Sequence, residues 1–160
     1  MAIQLTTPKQ EIEKHIIQQT QRLKDAVVYN LLYVGEQVVN HARNLPSPSA
    51  EAYDKIPHQP NYIDRTANLR SSIGYVVSID GDIVKAGGFE PVNGGAEGTE
   101  SGRRYAQRIA GELNSGIVLI VVAGMRYARY VTAKGYDVLD SAELLAERLI
   151  PQMLKQLDIN

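Results

Sequence analysis

Five arginines are the residues best equipped for chemistry: Arg103, Arg104 and Arg108 in one short stretch, Arg126 and Arg129 in another. A guanidinium is always charged and offers its N–H groups as a planar fork. Clusters of it therefore bind phosphate or carboxylate oxygens. No nucleophile or base accompanies them at a workable spacing. The serines lack the Gly-x-Ser-x-Gly elbow. His15, His41 and His58 are scattered, without the short spacing of metal ligands, and the chain has no Cys. Glu11 with Glu13 and Asp80 with Asp82 are more economically a helix first turn and a tight turn than acid–base pairs. The expectation is a protein that is not an enzyme, with no catalytic, cofactor-binding or metal-binding residues.

Two elements must hold these arginines. The run Gly-Ile-Val-Leu-Ile-Val-Val-Ala at 116–123 is apolar, β-branched and short, which predicts a buried strand. It leads into residues 124–135, read Gly-Met-Arg-Tyr-Ala-Arg-Tyr-Val-Thr-Ala-Lys-Gly. Gly124 turns the chain, and Tyr127, Tyr130 and Val131 then fall at i, i+3 and i+4 on one helical face. Gly135 after Lys134 is a plausible C-cap. Gly124, Tyr127, Tyr130, Val131 and Gly135 are expected to form a core joint that buries the two tyrosines and turns Arg126 and Arg129 outward. The other three arginines are placed on a short helix, 103–113, with Ser101 as its N-cap. Phe89, the one Phe of the chain, joins the five arginines as a candidate for a subunit interface or channel lining.

The remaining elements follow from periodicity. Thr7 as N-cap, Pro8 in the first turn and Glu11 open a helix that runs to about residue 43. Its stripe is Ile12, Ile16, Leu23, Val27, Leu31, Val34, Val38 and Ala42, widened by Ile17, Val28, Leu32 and Val39. Such a helix is roughly 50 Å long at about 1.5 Å per residue. Its first half is polar around a thin seam, which suggests an arm against a neighbouring subunit, while the second half lies on its own sheet. Residues 44–61, with Pro46, Pro48, Pro57 and Pro60, form a proline-rich loop. Asp64 caps a helical turn ending near Leu69, and Asp80-Gly81 joins two strands as a type I′ hairpin. Residues 87–102 are Gly-rich but lack a phosphate-loop ending, and are expected to be a flexible excursion that orders against a neighbour. A last helix opens at Ser141, buries Leu144, Leu145, Leu149, Met153, Leu154 and Leu157, and is kinked at Pro151.

The result is a single α+β domain over 1–160. It divides into a long helix (1–43), a loop (44–61), a small antiparallel sheet (62–124, with the 87–102 excursion) and a C-terminal helical part (125–160). The helices are expected on one face of the sheet. Lys plus Arg number 17 against 18 Asp plus Glu, a formal charge of −1, which argues against a general nucleic-acid binder. No signal peptide and no membrane span are expected. Nine Tyr against one Phe and no Trp suit surfaces that become buried on assembly.

Two stretches carry a resemblance. Thr66-Ala-Asn-Leu-Arg-Ser-Ser-Ile73 followed by strands, and Val122-Ala-Gly-Met-Arg-Tyr-Ala-Arg-Tyr-Val131 before a last helix, resemble the neck and tail-completion proteins of long-tailed bacteriophages. These are head–tail connector, minor capsid or tail-component proteins. In that family's pattern Ala67 would be Gly, Thr132 would commonly be Glu, and Gly135 comes one residue late. The resemblance covers about 64–157. It implies a structural virion protein without cofactors, assembled in the host cytoplasm and located in the neck or tail. Its partners would be copies of itself in a cyclic ring, commonly a hexamer, and the neighbouring neck and tail proteins, with DNA passing through the ring. A closed ring is what a repeated heterologous interface produces when its rotation closes. The alternative is a DNA-associated protein or enzyme working through the arginine cluster.

Overall fold

In a computed structural model the described residues are 8–45 and 62–157. Thr7, His58 and the prolines of the 44–61 loop lie outside them. The elements are α1 (Lys9–Arg43), α2 (Asn68–Ser71), β1 (Ile73–Ile79), β2 (Asp82–Gly88), α3 (Ala96–Glu112), β3 (Ile117–Ala123), α4 (Ala128–Ala133) and α5 (Asp140–Gln156). The fold is α+β: a long N-terminal helix, a small antiparallel sheet of order β2-β1-β3, and a C-terminal helix.

β1 is central because it can be buried on both faces. Ile73, Tyr75 and Val77 face one cluster with Leu31, Val34, Val38, Ala42 and Met153, and Val76 faces a second with Ala106, Ala110, Ile120 and Val122. α1 and α5 therefore cover one side of the sheet and α3 the other, in place of the single helical layer expected. The physical reason is that β1 and β3 are apolar at successive positions, which a strand with one wet face would not be. Asp80 (φ 51°) and Gly81 (φ 93°) make the two-residue hairpin turn. The Asp80 N–H donates to the Gly116 carbonyl at 2.9 Å, and its carboxylate accepts from the Gly116 N–H at 2.8 Å. The turn is thus pinned to the start of β3.

The Gly-rich stretch departs most from expectation. Gly87 and Gly88 finish β2, and from Ala96 the chain is already α3, so the helix begins seven residues before Arg103. Gly98, Gly102, Ala106 and Ala110, each four residues apart, form one buried face of it. That stripe of small residues brings the helix backbone close to β1, β3 and α2. Ser101 does not cap; its hydroxyl donates to the Gly124 carbonyl at 2.8 Å. Phe89 is no surface residue: it is 1 % exposed, seated against Gly74 and Gly102.

Smaller shifts have local causes. The helical turn near Asp64 is Asn68–Ser71; Ala67 holds the N-cap position, and the Asp64 carboxylate accepts from the first-turn N–H of Arg70 at 2.8 Å. α5 starts at Asp140; the Asp137 carboxylate accepts from the Ser141 N–H at 3.2 Å, freeing the Ser141 hydroxyl to meet His41 Nε2 at 2.8 Å. This hydrogen bond ties α5 to α1. The packed face of α5 is Ala142, Leu145, Ala146, Leu149, Ile150 and Met153, while Leu144 and Leu154 are exposed. The helix continues through Pro151.

Two buried tyrosines make stability depend on alkaline pH. The Tyr75 hydroxyl donates to Glu36 Oε1 at 2.8 Å, and burial, then that hydrogen bond and the Glu36 charge, push its pKa well above 10. Burial, opposed in part by Arg70, pushes Tyr62 up to about 12. Both protons are held more tightly in the folded chain, so their contribution is complete below pH 10 and falls as pH rises from there. Melting temperature should drop between about pH 10 and 12, and the drop should be shallower in Tyr62→Phe. Parallel curves for the variant and the parent would refute this.

Candidate functional site

The small-residue face of α3 determines where the arginines lie. Gly102 packs against Gly124, backbone to backbone, with the Ser101–Gly124 hydrogen bond beside the contact. This brings the second turn of α3 alongside the corner where β3 ends and α4 begins. Arg104 and Arg108 come from the helix, Arg126 and Arg129 from the corner. The four line one open cleft of about 630 Å3, floored by Ala123, Gly124, Met125 and Ala128. Residues 18 or more positions apart in sequence thus share one wall. Arg103 is exposed and does not line the cleft.

The arginines are differently engaged. Arg104 Nε lies 3.6 Å from Glu100, an exposed pair one helical turn apart and so worth little. The Arg108 guanidinium sits 5.0 Å from the centre of the Tyr105 ring, close enough for a cation–π contact. Arg126 and Arg129 are exposed and form no ion pair among the described residues; Asp137 and Asp140 do not take them. A second hollow adjoins the cleft and is lined by Thr66, Asn68, Glu97, Arg104, Arg126 and Tyr127. The Asn68 amide donates to Glu97 at 3.2 Å and its carbonyl accepts from the Gly98 N–H, which fixes Glu97 at the rim. Tyr127 is held above its ordinary pKa, first by burial, with the charges of Asp64 and Glu97 adding and a hydrogen bond with Thr66 opposing.

The joint is built differently from the face the spacing suggests. Tyr127 is 40 % and Tyr130 64 % exposed. The residue that α4 buries is Ala128, packed with Tyr62, Leu69 and Val138, and Val131 adds partial cover. A small side chain suffices because the corner approaches α2 and the α4–α5 linker closely. Tyr130 instead lies under Lys134, whose Nζ is 5.2 Å from the ring centre. Gly124 and Gly135 do serve the joint: Gly135 has φ 84° and its N–H donates to Thr132 at 2.8 Å, ending α4. Arg126 and Arg129 do point outward. Because they and Tyr130 are exposed, Tyr130→Ala, and Arg126→Ala with Arg129→Ala, should each change stability by no more than about 0.5 kcal/mol. A loss above roughly 2 kcal/mol in denaturant melts would mean that these side chains are part of the core.

Residues of the site that the sequence expectations leave out are Tyr105 and Met125, while the carboxylates of the Gly-rich stretch enter as Glu97 at the rim and Glu100 paired with Arg104. The signal for them is the spacing of Glu97, Ser101, Tyr105 and Arg108, four, four and three residues apart along α3, which the glycines between them mask. Chemically the cleft offers guanidinium N–H groups over an apolar floor, a receptor for carboxylate or phosphate oxygens. Among the described residues no group of three or more His, Cys, Asp or Glu is placed to hold a metal, and no helix is long and apolar enough to cross a membrane. No family model matches this chain, and neither a curated protein nor a solved structure matches it.

Proposed function

We propose that the protein is a structural, ring-forming subunit of a phage head–tail neck, a tail-completion or connector protein that joins copies of itself between portal and tail. The observation that carries this is the N-terminal half of α1. Every residue from 9 to 25 is exposed, a rod of roughly 25 Å at about 1.5 Å per residue. Along it Ile12, Ile16, Ile17 and Leu23 are 37–69 % exposed. An isolated helix of that length is marginal in water and gains most of its stability by packing. A ring supplies such a surface from the next subunit. Tyr29 and Tyr33, one turn apart and 74 % and 59 % exposed, extend the same helix toward the body. A further support is Ala67, which stands where the family pattern has Gly: its φ is 57°, the left-handed region that Gly enters at no steric cost.

The test is the native mass of the protein with and without the seam. A closed oligomer, six copies in the family's common form, is expected for the parent. Ile16→Glu with Leu23→Glu should give monomers of unchanged fold, since neither side chain is part of the core. A parent that stays monomeric at high concentration, and is absent from the neck of imaged particles, would overturn the proposal. The second function in play is binding DNA, and its specific support is that four of the five arginines line one cleft. It predicts an affinity for duplex DNA that falls steeply with salt.

A further inference from the structure

The two edges of the sheet are treated unequally. β2 carries Asp82 and Lys85, is exposed along most of its length, and has a register irregularity opposite Val77/Ser78. These features discourage pairing with a foreign strand. β3 has none of them: Ile117–Ala123 is apolar throughout and pairs in unbroken register with β1. Its hydrogen-bonding direction follows from two bonds at its ends. The Gly124 N–H donates to Ser72 at 3.2 Å, and the Asp80 N–H to Gly116 at 2.9 Å. In the antiparallel register between them, Val118, Ile120 and Val122 occupy the pairs bonded to β1. The N–H and C=O groups of Ile117, Leu119, Val121 and Ala123 therefore face outward. Among the described residues no strand pairs with that edge.

Both faces beside the edge are hollow. On the α3 side lies a space of about 280 Å3 lined by Tyr105, Ile109, Val122 and Val138. On the α1 and α5 side lies one of about 260 Å3 lined by Val38, Leu119, Ala142 and Ile150. An added strand sends alternate side chains to opposite faces, and these hollows would receive them. At the Ala123 end the first hollow opens into the arginine cleft, with which it shares Tyr105, Ala123, Ala128 and Arg129.

We propose that β3 accepts an extended, carboxylate-bearing segment of a partner protein as a fourth strand, its apolar side chains in the two hollows and its carboxylates on Arg126 and Arg129. Charge complementarity selects the acidic peptide. Arg126 and Arg129 are exposed and form no ion pair among the described residues, the floor of the cleft is apolar, and an outward row of backbone N–H and C=O groups has no counterpart on a phosphate backbone. Docking here requires no ring and uses none of the α1 seam.

The experiment uses the full chain and a fluorescent probe peptide of alternating Val and Thr that ends in a run of Glu. Saturable binding is expected, with new amide-exchange protection at Leu119, Val121 and Ala123. A probe with Gln for Glu should bind about tenfold or more weakly, as should Arg126→Glu with Arg129→Glu. Val121→Pro removes one outward donor without touching the β1 ladder and should abolish binding. Should that variant misfold, the charge variants and the exchange pattern still decide. Equal binding of the Glu and Gln probes would overturn the proposal. So would tighter binding of a short labelled duplex DNA, or protection of the three amides by a second copy of the chain alone.

Discussion

Phe89→Ala should cost about 3–5 kcal/mol of unfolding free energy, the range for truncating a buried aromatic ring. In a chain of this size that is a fall in melting temperature of roughly 6–20 °C. The large effect follows from what surrounds the ring. Phe89 is 1 % exposed, and its cluster is Val76, Ala106, Ala110, Ile120 and Val122. A Cβ added at Gly74 or Gly102 would come within 2.6–2.7 Å of the ring, so the ring fills the space those glycines leave. Small neighbours on strands and helix have no side chain to swing into the void, and the cavity would persist. The backbone fixes where the ring sits: Phe89 has φ 49°, and its N–H donates to the Ile73 carbonyl at 3.1 Å. Paired denaturant melts of Phe89→Ala and Tyr130→Ala check the assignment. If Phe89→Ala unfolds no more easily than Tyr130→Ala, the residue is not the keystone between α3 and the sheet.

How far the sequence reveals this fold depends on which signal each element uses. α1, the β1–β2 hairpin and β3 announce themselves, because hydrophobic period and turn chemistry act over neighbouring residues. The packed half of α1 matches its stripe at Leu31, Val34, Val38 and Ala42. α3 was hidden because glycine weakens helices by about 1 kcal/mol each and counts locally as a loop signal. Gly98 and Gly102 are tolerated there because the contact they permit with α2, Phe89 and Gly124 compensates, and that contact is not local. Phe89 was misplaced for the same reason: a residue read as belonging to a loop is read as exposed. Tyr127 and Tyr130 share a helical face by spacing, yet α4 is short and its close approach to Tyr62, Leu69 and Val138 admits only Ala128. Spacing placed the arginines on two elements. Their convergence on one cleft depends on the Gly102–Gly124 contact, which no local pattern encodes.

That contact makes the glycines of α3 the sharpest test of the architecture, because one helix contains both outcomes. A Cβ on Gly98 would run into the Asn68 carbonyl group and come within 2.8 Å of its Cα. One on Gly124 would run into Gly102 Cα and come within 2.8 Å of the Ser101 oxygen. All these atoms are backbone, so no side-chain rotation relieves the overlap. Each of Gly98→Ala and Gly124→Ala should therefore destabilise by about 2–3 kcal/mol or more, the upper range for overpacking. Gly111 lies near the other end of the same helix with nothing within 4 Å of an added Cβ. There the helix propensity of Ala acts unopposed, and Gly111→Ala should stabilise by about 0.5–1 kcal/mol. Gly124→Ala has a second consequence, because moving the corner off α3 separates Arg126 and Arg129 from Arg104 and Arg108. Binding of an acidic peptide should weaken in Gly124→Ala even at temperatures where the variant is fully folded, and should be unchanged in Gly111→Ala. Melting curves and peptide titrations on the three variants decide it. Stabilisation of Gly98→Ala to the same extent as Gly111→Ala would show that α3 does not lie against α2, and the same result in Gly124→Ala would remove the contact that forms the cleft.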